Sequence, residues 1–123
     1  MTAYDHDASF TNTSINSSAI TDTSTATTAE IDNDNKLVTN VSVTIVYGGT
    51  ATEGVIVRIL QDVDGTNSES DDGAWAIEMP FSVSGTERKV LQVNGEVAKF
   101  KVKLTNDSGA TVTATVKTKQ ATV

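Results

Sequence analysis

From Val97 to Asn106 the chain reads VAKFKVKLTN, with Ala98, Phe100, Val102 and Leu104 at alternate positions and Lys99, Lys101 and Lys103 between them. A period of two puts alternate side chains on opposite faces of an extended strand, and it does not fit the 3.6-residue stripe of an amphipathic helix. The alternation recurs in LVTNVSVTIVY (37–47), where Val41, Val43, Ile45 and Tyr47 share a face, and in ATVTATVKT (110–118), where Val112, Ala114 and Val116 do. VIVRILQD (55–62) is apolar on both faces except at Arg58, as an interior strand should be. WAIEMPFSV (75–83) sets Trp75, Ile77, Met79, Phe81 and Val83 on one side. Its Pro80 cannot donate to a ladder, so this strand is expected at a sheet edge or around a bulge. RKVLQV (88–93) runs into Asn94-Gly95, a tight-turn pair that predicts a hairpin with the lysine-bearing strand.

No segment keeps helical apolar spacing over a useful length. Six strands, with one or two more near the N-terminus, predict an all-β fold: an antiparallel β-sandwich, jelly-roll-like or alternatively immunoglobulin-like. A chain of 123 residues is the size of one domain. Residues 1–30 contain eight Thr, five Ser and no sustained period, and they read as an extended N-terminal arm ahead of a body at 31–123. Phe10, Ile15 and Ile20 are spaced anchors in that arm. They either pin it onto a neighbouring surface or lay it along its own domain as the first strands. With aromatic residues at only 5%, the core must come from Val, Ile, Leu and Ala and will be thin, so further burial against other copies is expected to help.

The composition removes several chemistries. There is no cysteine, hence no disulfide, thiolate zinc site or cysteine nucleophile. The acidic start MTAYDHDASF lacks the basic and apolar regions of a secretory signal, and no apolar run approaches spanning length, so neither that export route nor a membrane partner is expected. The single histidine, His6, lies in the arm, and Glu78 has no evident mate for two-carboxylate catalysis, so no enzymatic activity, catalytic residue or cofactor is expected. The stretch DVDGTNSESDDGA offers Asp62, Asp64, Asn67, Glu69, Asp71 and Asp72 as hard oxygen ligands. Glycine at the fourth position and the lack of flanking helices break the calcium-loop template, so the segment reads as an exposed turn with no metal, or as an acidic contact for a basic partner.

The charge is divided unevenly. Residues 1–78 hold 13 acids and two bases, and residues 79–123 hold three acids and seven bases, within a formal net charge of -7. The lysine row could track phosphates, but Phe100 faces away from it and the overall charge is negative, so no nucleic-acid partner is expected. Lys99, Lys101 and Lys103 are then either the solvent side of a half-buried strand or an assembly surface that meets Asp62, Asp64, Asp71 and Asp72 of another copy.

Taken together, ATEGVIVRILQDVDGTNSES, WAIEMPFSVSGTERKVLQV and FKVKLTNDSGATVTATVKTKQATV resemble a group of small, cysteine-free phage and prophage proteins with a Ser/Thr-rich arm before a β-sandwich. The combination of DVDGTN, EMPFSV and NDSGATVTA carries this resemblance, over roughly residues 10 to 123. It implies a virion structural protein, foremost a capsid decoration or cement protein. Such a protein is made in the host cytoplasm, sits on the capsid exterior, and has the major capsid protein and its own copies, as a homotrimer or other homo-oligomer, for partners. It implies no catalytic residues. A tail or head-fibre component is the alternative, and a carbohydrate-binding module the second alternative. The latter is disfavoured because Trp75 falls on an apolar face and leaves no exposed aromatic platform.

Overall fold

A computed structural model describes residues 5–6, 9–66, 68–71 and 73–122. The elements are β1 (Asp5–His6), β2 (Thr11–Asn12), β3 (Ser18–Ile20), β4 (Ser24–Thr27), β5 (Ile31–Asp32), β6 (Val38–Val46), β7 (Ile56–Asp62), β8 (Trp75–Glu78), β9 (Thr86–Asn94), β10 (Lys99–Asn106) and β11 (Val112–Thr122). All pairings are antiparallel. One sheet, called the first here, runs β11-β6-β9, with β1, β2 and β3 all on the outer edge of β11; the second runs β4-β10-β7-β8, with β5 beside β4 on β10. Counting from β3 and merging β4 with β5, the eight strands fall into the two four-stranded orders of a double Greek-key jelly roll, with β7 and β8 the one consecutive pair that shares a sheet.

The described part of the Ser/Thr-rich segment follows the second of its two readings and lies along its own domain. It runs up the edge of β11, turns at Thr21–Thr23, and returns down the edge of β10. Hydroxyls fill the gaps between these short strands: Thr13 Oγ1 donates to Val116 O at 2.7 Å, Thr28 Oγ1 accepts from Val102 N at 3.0 Å, and Ser14 Oγ accepts from Ala29 N at 2.9 Å. Thr and Ser are thus used here to satisfy backbone groups that a regular ladder would pair. Covering both edges with one polar ribbon also blocks unwanted strand addition.

Of the inward positions predicted for 37–47, 97–106 and 110–118, Ala98, just ahead of β10, is part-exposed and the others are buried, with Val41, Val43, Ile45, Val102, Leu104, Ala114 and Val116 fully so. Ile15 and Ile20 join this core. Two buried asparagines close its polar ends. Asn106 Nδ2 donates to Ile20 O and Ala110 O, both at 2.8 Å, while its Oδ1 accepts from Ser108 N at 3.0 Å. Asn33 Nδ2 donates to Asn94 O and Val97 O, both at 2.9 Å, and its Oδ1 accepts from Thr39 Oγ1. At the far end Tyr47 OH donates to Pro80 O at 3.0 Å and accepts from Val55 N at 3.1 Å. Burial, the first cause, and the charges of Glu87 and Glu78 push this hydroxyl above its ordinary pKa, against the opposing donation from Val55.

Two expectations need correction. The hairpin at Asn94-Gly95 does not form: β9 pairs with β6 in the first sheet, β10 pairs with β7 in the second, and the turn carries the chain across. Glycine is required there for close approach, since a Cβ would stand 2.2 Å from Lys36 O. The apolar face of 75–83 is also incomplete. β8 ends at Glu78 as the edge of its sheet, and although Met79 is buried, Trp75 is 51% exposed and Phe81 and Val83 are exposed too. An edge strand of four residues has a neighbour on one side only, too little to cover an indole.

Candidate functional site: two outer sheet faces

The outer face of the second sheet carries the lysine row, and there acids of the same chain meet Lys99 and Lys103. Lys99 lies between Asp32 on β5 and Asp62 on β7, and its Nζ stands 3.6 Å from Glu30. Lys101 lies opposite Leu60. Lys103 lies opposite Arg58, a like-charge pair that would be unfavourable left alone. The acidic loop after β7 supplies the remedy: it folds back so that Asp71 pairs with Lys103, while Arg58 Nη1 donates to Thr105 Oγ1 at 3.3 Å. Glu69 anchors the same loop to Gln61 in both directions, its N donating to Gln61 O at 3.0 Å and its Oε2 accepting from Gln61 N at 3.2 Å.

The acids proposed as partners for the lysines of another copy therefore include two that serve their own chain. Asp62 is buried and so does not form surface, and Asp71 is engaged with Lys103. Asp64 is exposed and shapes the loop by accepting from Thr66 N and Oγ1, both at 2.9 Å. Asp72 lies outside the described residues. Of the arm anchors, Ile15 and Ile20 are core residues of this chain, whereas Phe10 is 41% exposed with Lys119 Nζ 5.9 Å from its ring centroid.

Phe10 points to a second surface that no single stretch of sequence announces. The outward positions of the first sheet form rows across three strands: Thr115, Thr44 and Arg88; Lys117, Ser42 and Val90; Lys119, Asn40 and Gln92. Ser42 and Thr44 are short, so the middle of the face sinks between β11 and β9 into an open groove of about 510 Å³, bordered by Phe10, Arg88, Val90 and Lys117. Arg88 Nε donates to Thr44 Oγ1 at 3.1 Å and Gln92 Nε2 to Asn40 Oδ1 at 3.1 Å, which holds these side chains across the face. No carboxylate occupies the outward positions of β6, β9 and β11, and neither described salt bridge lies on this side. Arg88 and Val90 come from β9 and Lys117 from β11, with Ser42 and Thr44 of β6 between them, so only the register assembles the groove. The alternation in 110–118, which sets Lys117 outward, was the one available signal. Among the described residues no cluster of three or more metal-ligating side chains exists.

No protein-family model matches the chain, and no curated protein matches it in sequence. Solved structures share its fold at low identity. VP2 of the infectious bursal disease virus subviral particle aligns at 12% identity and TM-score 0.57, over 98% of this chain and 32% of VP2. A family 16 carbohydrate-binding module aligns at 12% and 0.52, over 82% of this chain and 73% of the module. The SPBc2 prophage-derived protein YomS aligns at 11% and 0.50, over 99% of this chain and 97% of YomS. The lengths compared differ widely, since the chain spans only 19% of bacteriophage CBA120 tailspike protein 4. Viral structural proteins and carbohydrate-binding modules thus both stand among the neighbours, and what they share with this chain is the two-sheet architecture.

Proposed function

We propose that this chain is a structural component of a bacteriophage particle, a capsid decoration or cement protein. It adheres to the outer shell, joins neighbouring major capsid subunits and catalyses no reaction. The observation that carries this reading is the groove on the first sheet: a cationic, partly apolar face on which, among the described residues, no cation meets a carboxylate, on a chain that is otherwise acidic and answers Lys99 and Lys103 of its other face with its own Glu30 and Asp71. A surface of this kind suits attachment to an acidic protein surface, with charge setting orientation and apolar side chains supplying burial. A prophage-derived protein matched over nearly its whole length, and a viral particle protein with the highest similarity quoted above, support the same reading at the level of the fold. The test is to purify particles and count copies of the chain. Hundreds per particle fit decoration of a shell, tens fit a tail or head-fibre component, and none refutes a place in the particle.

One observation favours a second reading. Trp75 is exposed, as a sugar-stacking platform must be, and a carbohydrate-binding module is among the structural neighbours. Glycan-array binding that disappears in Trp75→Ala, with the circular dichroism spectrum unchanged, would establish that reading; an array without signal would remove it.

A further inference from the structure

We propose that the open edge of β9 pairs antiparallel with β9 of a second copy of this chain, across a two-fold axis at Val90, so that the two first sheets become one. β10 and β11 are lined by the short strands of the arm, and β8 is four residues long with Pro80 just beyond it. β9 is nine residues long, with β6 on one side and, among the described residues, no strand on the other. At the two ends of the β6–β9 ladder Tyr47 N donates to Gly85 O at 2.8 Å and Gly95 N to Leu37 O at 3.0 Å, so the odd-numbered residues of β9 are the ones that exchange bonds with β6. The N–H and C=O groups of Arg88, Val90 and Gln92 therefore point along the open edge, and such a row of backbone groups is a template for a further strand.

The occupant is a second copy because β9 complements itself. With the axis at Val90 all nine residues find partners: Thr86 faces Asn94, Glu87 faces Val93, Arg88 faces Gln92, Lys89 faces Leu91, and Val90, 51% exposed, faces its own counterpart. Arg88, Val90 and Gln92 then occupy the bonded positions, and no like charges stand opposite one another. Moving the axis to Lys89 sets that cation against itself, and moving it to Leu91 leaves Thr86 and Glu87 without partners on the other β9. A two-fold contact of this kind consumes both open edges, so association stops at two copies. The strands meet edge to edge, and Arg88 and Lys117 stay on the outer face of the joined sheet, so neither groove is filled. The inference does not depend on the particle reading, which the copy count on particles judges separately.

The experiment is sedimentation equilibrium of the purified full chain, with circular dichroism as the control for folding. The wild-type chain is expected to form dimers. Val90→Glu and Val90→Lys each set like charges against themselves at the axis and should weaken the dimer about tenfold or more. An equimolar mixture of the two should recover it as a mixed dimer, a result that misfolding cannot mimic. Cysteine scanning fixes the register on a chain that has no cysteine of its own. Bonded pairs stand about 5.5 Å apart between Cα atoms, within disulfide reach, so Val90→Cys should cross-link to a dimer under a mild oxidant. Gln92→Cys, which would face Arg88, should not. A monomeric wild-type chain, a dimer indifferent to both charges at Val90, folded variants that stay apart when mixed, or equal cross-linking from the two cysteine positions would each overturn the proposal.

Discussion

The two outer faces of this sandwich carry similar numbers of cations and use them differently. On the second sheet Lys99, Lys103 and Arg58 are met by Glu30, Asp71 and Thr105 of the same chain, and the loop after β7 folds back toward them. On the first sheet Arg88 and Lys117 rim a groove with Ser42, Thr44 and the exposed Phe10, and Lys119 stands beside the Phe10 ring. In the row of lysines that stands out in the sequence, Lys99 and Lys103 are thus met by acids of their own chain. Among the described residues no carboxylate pairs with Arg88 of β9 or with Lys117 and Lys119 of β11, and the face they share across β6 is the better guide to a binding surface.

The difference can be sharpened by changes graded from beneath both faces outward. Asn106→Ala should be the most damaging, at about 3 kcal/mol, because it strips Ile20 O, Ala110 O and Ser108 N of their partner in a fully buried setting; chemical denaturation would measure it. A loss much below 1 kcal/mol would mean that the junction of arm and sheets is looser than described.

Tyr47→Phe should cost about 1–2 kcal/mol at neutral pH, since Val55 N loses a buried acceptor. The folded-state pKa of Tyr47 lies above the ordinary value of about 10, so its contribution is intact below that pH and is lost as the pH rises through the raised value. The wild-type chain should therefore lose stability in that alkaline range, and the Phe variant should show a smaller loss there.

Asp71→Lys should cost about 1 kcal/mol, as it removes the partner of Lys103 and adds a third cation beside Arg58, and it should speed proteolysis within 63–74. Lys117→Glu on the open face should change stability least, by under about 0.5 kcal/mol, because no described residue forms an ion pair with Lys117. Equal costs for these last two changes would erase the contrast between the faces.

Much of the architecture was legible in the residues. Alternation in 37–47, 97–106 and 110–118 marked inward positions that, Ala98 ahead of β10 aside, are buried, because a sheet with one buried face allows only that phase. Pro80 signalled an edge, and β8 is one. What the sequence concealed was pairing at a distance. Asn94-Gly95 looks like a hairpin turn, yet its glycine answers to the backbone of Lys36, which arrives from far along the chain. The arm read as low complexity because its hydroxyls bond to backbone of β10 and β11, which are remote in sequence. The groove was hidden for the same reason: Ser42, Val90 and Lys117 are neighbours only through the β11-β6-β9 register.

The central claim is that the open face of the first sheet, and not the lysine row, attaches this chain to the particle. The most direct measurement is the retention of two variants on purified particles: Arg88→Glu with Lys117→Glu, and Lys99→Glu with Lys101→Glu and Lys103→Glu, each verified to be folded. The account predicts that the first is lost from particles while the second is retained as the wild type is. Retention of the first with loss of the second would contradict it.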